Sequence, residues 1–343
     1  MPHRLVLHMD DRRPIWSMPP WVAGELRAAL PDGWEVVVPG APADGSGDGA
    51  ALVAPEVLEA VRNARIYLGM GVPGEVLGAG KALEWVHTGT AGVGGSLGPQ
   101  MREAEVVFTN SAGIHGPPMA DTVLAAALHF LRGLDFAVRA QARRSWETGP
   151  FYDAETPVTE VEETVVGVLG YGGVGREVAK RFSALGARVL ALRRSPGEGS
   201  DPHAEVLHGP GGLARILGRS DLLVLALPET EETRGLIDAE ALAETKEGAV
   251  LVNVARGGVV DEGALVEALR SGRLRGAALD VFGQEPLPQD SPLWSLPNVL
   301  LTPHVSAVTR RFWRRETDLI VENLRRYLEG RTLLNVVDVE AGY

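Results

Sequence analysis

The chain has 343 residues, 45% of them apolar and 23% charged, with a formal net charge of −12 at pH 7. That length suits roughly two domains with full cores, and the acidic balance argues against a general nucleic-acid binder, although a local Arg cluster can still hold an anionic ligand. With no cysteine, disulfides, thiolate metal sites and cysteine nucleophiles are excluded.

The opening MPHRLVLHMDDRRP is too short in its apolar part and too charged for a signal peptide. The most apolar helix-like run, 123–128, falls far below the ~18–20 residues a bilayer span needs. A soluble cytoplasmic protein is the expectation. Strands are predicted at 4–9, 34–38, 65–68, 85–87 and 106–109, with helices near 21–30, 56–63 and 74–81 and a turn-rich loop at 39–49. Strands alternating with helices imply a parallel sheet covered on both faces.

A composition break at 110–118 is followed by a long helix, 119–131, opened by Pro117 and Pro118 with Asp121 in its first turn. A second helix is predicted over 136–146, then a polar, turn-like stretch over 151–163. From Thr164 a second α/β series begins, with strands at 164–169, 188–192, 221–227, 249–253, 276–280 and 299–302. Helices at 174–185 and 262–271 fall within it, and an amphipathic helix at 310–329 follows the last strand.

The first strand of this series runs into Gly170-Tyr171-Gly172-Gly173-Val174-Gly175 and directly into a helix. This is a dinucleotide fingerprint in its proper strand–turn–helix context. Gly170 permits the tight turn, Gly172 clears space for a pyrophosphate, and Gly175 lets the helix pack close to the strand. The free N–H groups of the helix start then face the anion. The next strand ends in Arg193, Arg194 and Ser195, where an NAD-binding domain carries an acid for the ribose 2′-hydroxyl. Planar guanidinium donors suit a 2′-phosphate. The expected cofactor is therefore NADP(H), with NAD(H) as the alternative.

Three further strands end in NVARGGVVDE (253–262), ALDVFGQEPLP (278–288) and LTPHVSA (301–307), presenting Arg256, Glu285 and His304. Together they suit the reduction of a 2-oxo acid. Arg256 clamps the carboxylate and polarises the ketone. His304 donates the proton, since imidazole exchanges protons in the physiological range. Glu285, on the other ring nitrogen, favours the charged ring. No histidine is spaced with carboxylates along one helix face, so no metal is expected.

With LPETEETRGLI (227–237), WVHTGTAGVGG (85–95) and TNSAGIHGPPMADTVL (109–124), these motifs resemble the D-isomer-specific 2-hydroxyacid dehydrogenase family. WVHTGTAGV, the Arg after the second strand and the C-terminal VDVEAGY are most similar to its glyoxylate/hydroxypyruvate reductase type. The resemblance implies two Rossmann-like or flavodoxin-like α/β domains. A doubly wound NAD(P)-binding domain, 114–306, is inserted into a discontinuous substrate domain made of 1–113 and 307–343.

It implies Arg256, Glu285 and His304 as the catalytic trio. It also implies a substrate carboxylate site on the backbone of Thr90, Ala91, Gly92 and Val93, assisted by Arg256. For the cofactor it implies contacts from Tyr171, Gly172, Gly173 and Val174. Leu227 and Pro228 line the adenine side, and Thr233 closes the pyrophosphate site. Val254, Ala255, Arg256, Asp280 and His304 lie around the nicotinamide end, with Asp280 beside the carboxamide.

The implied product is a D-2-hydroxy acid and the implied assembly a homodimer through the helical region 119–146. Two positions depart from the family pattern: Gly94 stands where Asp is common, and Asp121 where Glu is common. The bulk of His87, Thr88, Trp146 and Trp294 is expected to set substrate size. Formate dehydrogenase is an alternative of similar architecture, but pairs its histidine with Gln where Glu285 stands here. A nucleotide-sensing corepressor of the same fold is the non-enzymatic alternative; the intact trio and the lack of interaction tails weigh against it.

Overall fold

The computed structural model describes residues 2–43, 45, 49–194 and 201–342. The chain divides into two compact units, one made of the residues up to His115 together with those from Val308 onward, the other Gly116–Ala307.

The first unit holds a five-stranded parallel sheet of β1 (His3–His8), β2 (Trp34–Val37), β3 (Ile66–Gly69), β4 (Trp85–Thr88) and β5 (Val107–Asn110), in the order β2-β1-β3-β4-β5. This is the flavodoxin-like order. Successive strand residues bury on opposite faces. Leu5, Leu7, Leu68 and Trp85 join one cluster with Phe312, Ile320 and Leu324 of the helix Phe312–Leu328. Val6, Tyr67, Val86 and Phe108 join the other. Both faces are covered, which explains the apolar strand sequences. The chain end returns to the edge strand: Asn110 N–H donates to Asn335 C=O (3.1 Å) and Val337 N–H to Phe108 C=O (2.8 Å). That pairing covers an edge that would otherwise present unpaired amides.

The second unit holds β6 (Val165–Leu169), β7 (Arg188–Leu192), β8 (Glu205–Leu207), β9 (Leu222–Leu225), β10 (Ala249–Asn253), β11 (Leu274–Leu279) and β12 (Val299–Leu301). They form one parallel sheet in the order β12-β11-β10-β9-β6-β7-β8. The chain builds outward from β6 in one direction, then reverses at β9, so a topological switch point lies between these strands. Helices Gly116–Leu131 and Gly173–Ala184 cover one face through Val123, Phe130, Val178 and Phe182. Helix Glu262–Arg270 covers the other through Leu265 and Leu269.

Several boundaries differ from the sequence expectation. The long helix starts at Gly116, and no acid lies in its first turn. Asp121 instead accepts from Arg181 Nε at 2.7 Å, tying this helix to the one that follows the glycine turn. The next helix ends at Ala142, because Arg144 takes a left-handed φ of 56°. Over 151–163 the polar stretch contains a 3₁₀ turn, Val161–Glu163, closed by a capping box from Glu160. Strand β8 was not foreseen; it has three residues and, among the described residues, pairs with β7. Among the described residues no helix is long and apolar enough to cross a membrane.

Candidate active site

The glycine turn leaves β6 at the switch point. Gly170 has φ 98°, and a Cβ there would lie 2.6 Å from Ala226 O, so only glycine fits. A Cβ on Gly175 would overlap the carbonyl oxygen of Gly170. A Cβ on Gly172 would meet no atom within 4 Å. The open position is thus the one facing away from the protein, at the N-cap of helix Gly173–Ala184, where no side chain occupies the helix N–H groups. A nucleotide pyrophosphate fits this cradle.

Tyr171 turns inward. Its ring lies 4.8 Å below the Arg176 guanidinium, and Arg176 pairs with Asp201 at 3.1 Å. Burial, and then the Asp201 carboxylate bonded to it, push the Tyr171 hydroxyl well above the usual tyrosine range. The Tyr171 side chain is thus engaged by Arg176 and Asp201. Arg193 follows β7, with its N–H bonded to Leu207 C=O (3.0 Å) and its C=O to His208 Nδ1 (3.0 Å). Arg193 is half-buried and Arg194 exposed; Ser195 lies outside the described residues. Thr233 Oγ1 donates to Pro228 C=O (2.7 Å) and accepts from Thr230 N–H (2.8 Å), closing the loop that carries Leu227 and Pro228.

The ends of β10, β11 and β12 are neighbours, and parallel strands stand about 4.8 Å apart. After β10, Val254 and Ala255 are buried and Arg256 half-buried, with Arg256 Nη1 donating to Ala255 C=O at 2.7 Å. After β11, Glu285 accepts from Phe282 N–H through Oε1 (3.0 Å) and from the His304 ring at Nδ1 through Oε2 (2.8 Å). The His304 and Glu285 side chains are 34% and 36% exposed, so the pair is open to a ligand. With Nδ1 committed to the carboxylate, Nε2 is the ring atom that presents or receives a proton.

Asp280 has a task that sequence reasoning did not foresee. It is 3% exposed, and its carboxylate accepts from Thr302 Oγ1 (2.6 Å), Val305 N–H (2.9 Å) and Ser306 N–H (3.0 Å). It thereby fastens the turn that carries His304. Asn253 and Gly257 were also overlooked. A Cβ on Gly257 would overlap the Phe282 carbonyl, so the segment after Arg256 lies directly against the segment leading to Glu285. An Asn two residues before a backbone N–H it can cap is a readable turn signal; the Asp280 partners, 22–26 residues away, have no local signal.

In the first unit, the turn after β4 is organised through its carbonyls. Thr90 C=O accepts from Ser111 N–H (3.0 Å), Ala91 C=O from Asn110 Nδ2 (2.8 Å), and Gly92 C=O from Thr90 Oγ1 (2.7 Å). A trans peptide points its N–H opposite its C=O. The N–H groups of Ala91, Gly92 and Val93 are thus directed away from the groups that anchor the turn. Successive N–H groups of this kind form an anion-binding concavity. Gly94 opens a 3₁₀ turn, and a Cβ there would meet nothing within 4 Å, so the turn tolerates either Gly or Asp.

The expectation that His87 and Thr88 set substrate size is corrected. Both are fully buried inside the first unit. His87 bonds Thr109 Oγ1 through Nδ1 and Glu316 Oε1 through Nε2, both at 2.8 Å, holding β4 to β5 and to helix Phe312–Leu328. Trp146 is 95% exposed. Trp294 donates Nε1–H to Pro288 C=O at 2.8 Å. Among the described residues no group of three or more His, Cys, Asp or Glu could hold a metal ion.

A switch-point glycine cradle with an arginine and an imidazole–carboxylate pair on neighbouring strand ends defines a dinucleotide-binding α/β protein equipped for proton-coupled chemistry. Residues 124–306 match the family described as D-isomer specific 2-hydroxyacid dehydrogenase, NAD binding domain. The chain is 35% identical over 277 residues to glyoxylate/hydroxypyruvate reductase A of Salmonella paratyphi B, covering 79% of this chain and 85% of that protein. It is 38% identical over 239 residues to D-3-phosphoglycerate dehydrogenase of Mycobacterium bovis, covering 69% of this chain but only 43% of the relative. The chain thus spans less than half the length of the phosphoglycerate dehydrogenases it matches. A D-isomer specific 2-hydroxyacid dehydrogenase from Xanthobacter autotrophicus Py2, solved with NADPH and MES, superimposes with a TM-score of 0.81 at 34% identity, covering 100% of both chains. The protein belongs to the D-isomer specific 2-hydroxyacid dehydrogenase family.

Proposed function

We propose that this protein reversibly reduces a small 2-oxo acid of the glyoxylate/hydroxypyruvate class to the D-2-hydroxy acid, with NADP(H) preferred over NAD(H). The observation that carries this reading is the His304–Glu285 pair, 2.8 Å apart and open to a ligand, on the strand ends next to that of Arg256. The dinucleotide supplies or accepts a hydride when bound at the glycine cradle. The protein's own residues do the rest. Arg256 holds the substrate carboxylate by paired charge-assisted bonds and faces the oxygen that gains charge. His304 delivers a proton from Nε2 to that oxygen, and Glu285 stabilises the charged ring while it waits. In the opposite direction neutral His304 takes the proton from the hydroxyl.

The N–H groups of Ala91, Gly92 and Val93 are proposed as the second carboxylate holder, because their carbonyls are anchored and their donors point away. Arg193 supports the NADP preference by its place after β7, and the Xanthobacter relative was solved with NADPH. A homodimer through the helices around Leu134 and Val138, both exposed, completes the reading; light scattering tests it, and a monomer at micromolar concentration rejects it.

The deciding experiment follows absorbance near ~340 nm with glyoxylate, hydroxypyruvate and a bulkier 2-oxo acid, each with NADPH and NADH. Turnover at an ordinary enzymatic rate of about 1–10³ s⁻¹ is expected with the small acids and NADPH. No turnover with any of them rejects the reading.

A further inference from the structure

We propose that Asn253 is a positioning residue for Arg256: its side-chain amide sets the backbone from which the guanidinium is presented to the substrate. This rests on the 2-oxo acid reading above.

Asn253 is the last residue of β10 and is 1% exposed. Its Oδ1 accepts from Ala255 N–H at 2.9 Å, and its Nδ2 donates to Arg256 C=O at 3.1 Å. One planar amide therefore holds the three-residue loop on both sides of the Ala255–Arg256 peptide. The same residue is fixed to the sheet, since its C=O accepts Asp280 N–H at 3.0 Å. The loop start is fixed as well, with Val254 N–H bonded to Leu225 C=O at 3.3 Å.

Downstream, Gly257 lies so close to Phe282 that a Cβ would overlap its carbonyl, and Phe282 N–H holds Glu285 Oε1. Arg256 thus stands between two fixed points. Its Nη1 donates to Ala255 C=O, an acceptor belonging to the very peptide that Asn253 brackets.

The chemistry requires an amide at this place. A carboxylate of the same length would accept from Ala255 N–H but would set a lone pair against the Arg256 carbonyl. A hydroxyl is too short to bracket both groups. Bidentate recognition of a carboxylate depends on orientation, and an error of about 1 Å costs on the order of 10²-fold in rate. Asn253 is 1% exposed and both ends of its amide are bonded to backbone, so it acts through Arg256.

The test compares wild type, Asn253→Asp and Asn253→Ala in the full-length protein. It measures glyoxylate reduction with NADPH, inhibition by oxalate as a carboxylate probe, and NADPH affinity by fluorescence. Asn253→Asp, which keeps the Ala255 bond and loses the Arg256 bond, should lower kcat/KM about 30- to 100-fold and weaken oxalate comparably. NADPH Kd should change far less than kcat/KM, because the glycine cradle expected to hold the pyrophosphate is untouched. Asn253→Ala should be worse for oxalate. The inference is overturned if kcat/KM and oxalate inhibition stay within about threefold of wild type. It is equally overturned if NADPH affinity falls by the same factor as kcat/KM, or if the variants bind no NADPH at all, since the side chain then supports the cofactor unit rather than the guanidinium. A wild type that binds NADPH yet reduces none of the acids rejects the reduction reading itself, an outcome separable from a working wild type beside an unaltered Asn253→Asp.

Discussion

Asp280 and His304 are joined twice: the Asp280 carbonyl accepts His304 N–H at 2.8 Å, and its carboxylate holds the backbone on the far side of the histidine through Val305 and Ser306. His304 sits in this clasp with φ 54°, a left-handed conformation that is uncommon outside glycine, though Asn, Asp and His adopt it more readily than other residues. Such a conformation costs about 1–3 kcal/mol and persists only where surrounding bonds impose it. Here they do, and the result aims the ring so that Nδ1 meets Glu285.

Asp280→Asn replaces one acceptor oxygen by an amide that faces a donor N–H or hydroxyl. The clasp should loosen, and kcat/KM for glyoxylate should fall at least about tenfold as the near-attack geometry is lost. Steady-state kinetics check this. A variant with unchanged kcat/KM would show that the left-handed turn holds itself.

His304→Ala removes the proton donor. The expected loss in kcat is about 10²–10⁴-fold, with NADPH affinity altered no more than a fewfold, because the donor acts in the transition state. Parallel turnover and NADPH titration separate the two. Wild-type kcat/KM in this variant would sink the assignment.

The glycines at 172 and 175 should behave oppositely. Gly172→Ala adds a methyl in open space, so thermal stability should hold while NADPH affinity falls. Gly175→Ala drives a methyl into the Gly170 carbonyl, and unfolding should move several degrees lower, about 2–8 °C for each kcal/mol lost. Thermal melts with and without NADPH read both effects; equal melting losses would contradict the geometry.

Arg193→Ala should cut the kcat/KM preference for NADPH over NADH about tenfold or more, since a charge-assisted bond contributes roughly 1.5–3 kcal/mol. Turnover with NADH should change little. An unchanged ratio would move the phosphate contact elsewhere.

His115 gives a pH-dependent stability with a definite sign. Its ring is buried and stacked on Phe312, centroids 5.7 Å apart, and burial lowers its pKa below the usual 6.5, with Glu316 opposing the shift. The unfolded chain then binds a proton more readily than the folded one. No penalty exists well above pH 6.5; it grows as pH falls below that value and levels off below the depressed folded pKa. His115→Phe should flatten the fall in melting temperature between pH 7.5 and 5.5. An equally steep fall would place the acid sensitivity elsewhere.

The alternation of strands and helices, the glycine turn at 170–175 and the three strand ends carrying Arg256, Glu285 and His304 were all readable from residue order alone. Each rests on a local rule: side-chain periodicity, backbone freedom of glycine, or the residue type that follows a strand. Local rules also misplaced the ends of helices, as at Gly116 and Ala142, where a few residues tip the balance. They said nothing of which distant groups would meet. His87 looked available to a substrate until the fold brought Glu316 to it across 229 positions. For Asp280 they gave no sign that strand order would set its carboxylate under the residues after β12. A buried polar group must find partners, and which partners it finds depends on the order of strands in the sheet, which periodicity does not encode. The sequence therefore determined the chemical groups and their local frames; only the tertiary structure decided which of them are held rigid, and by what.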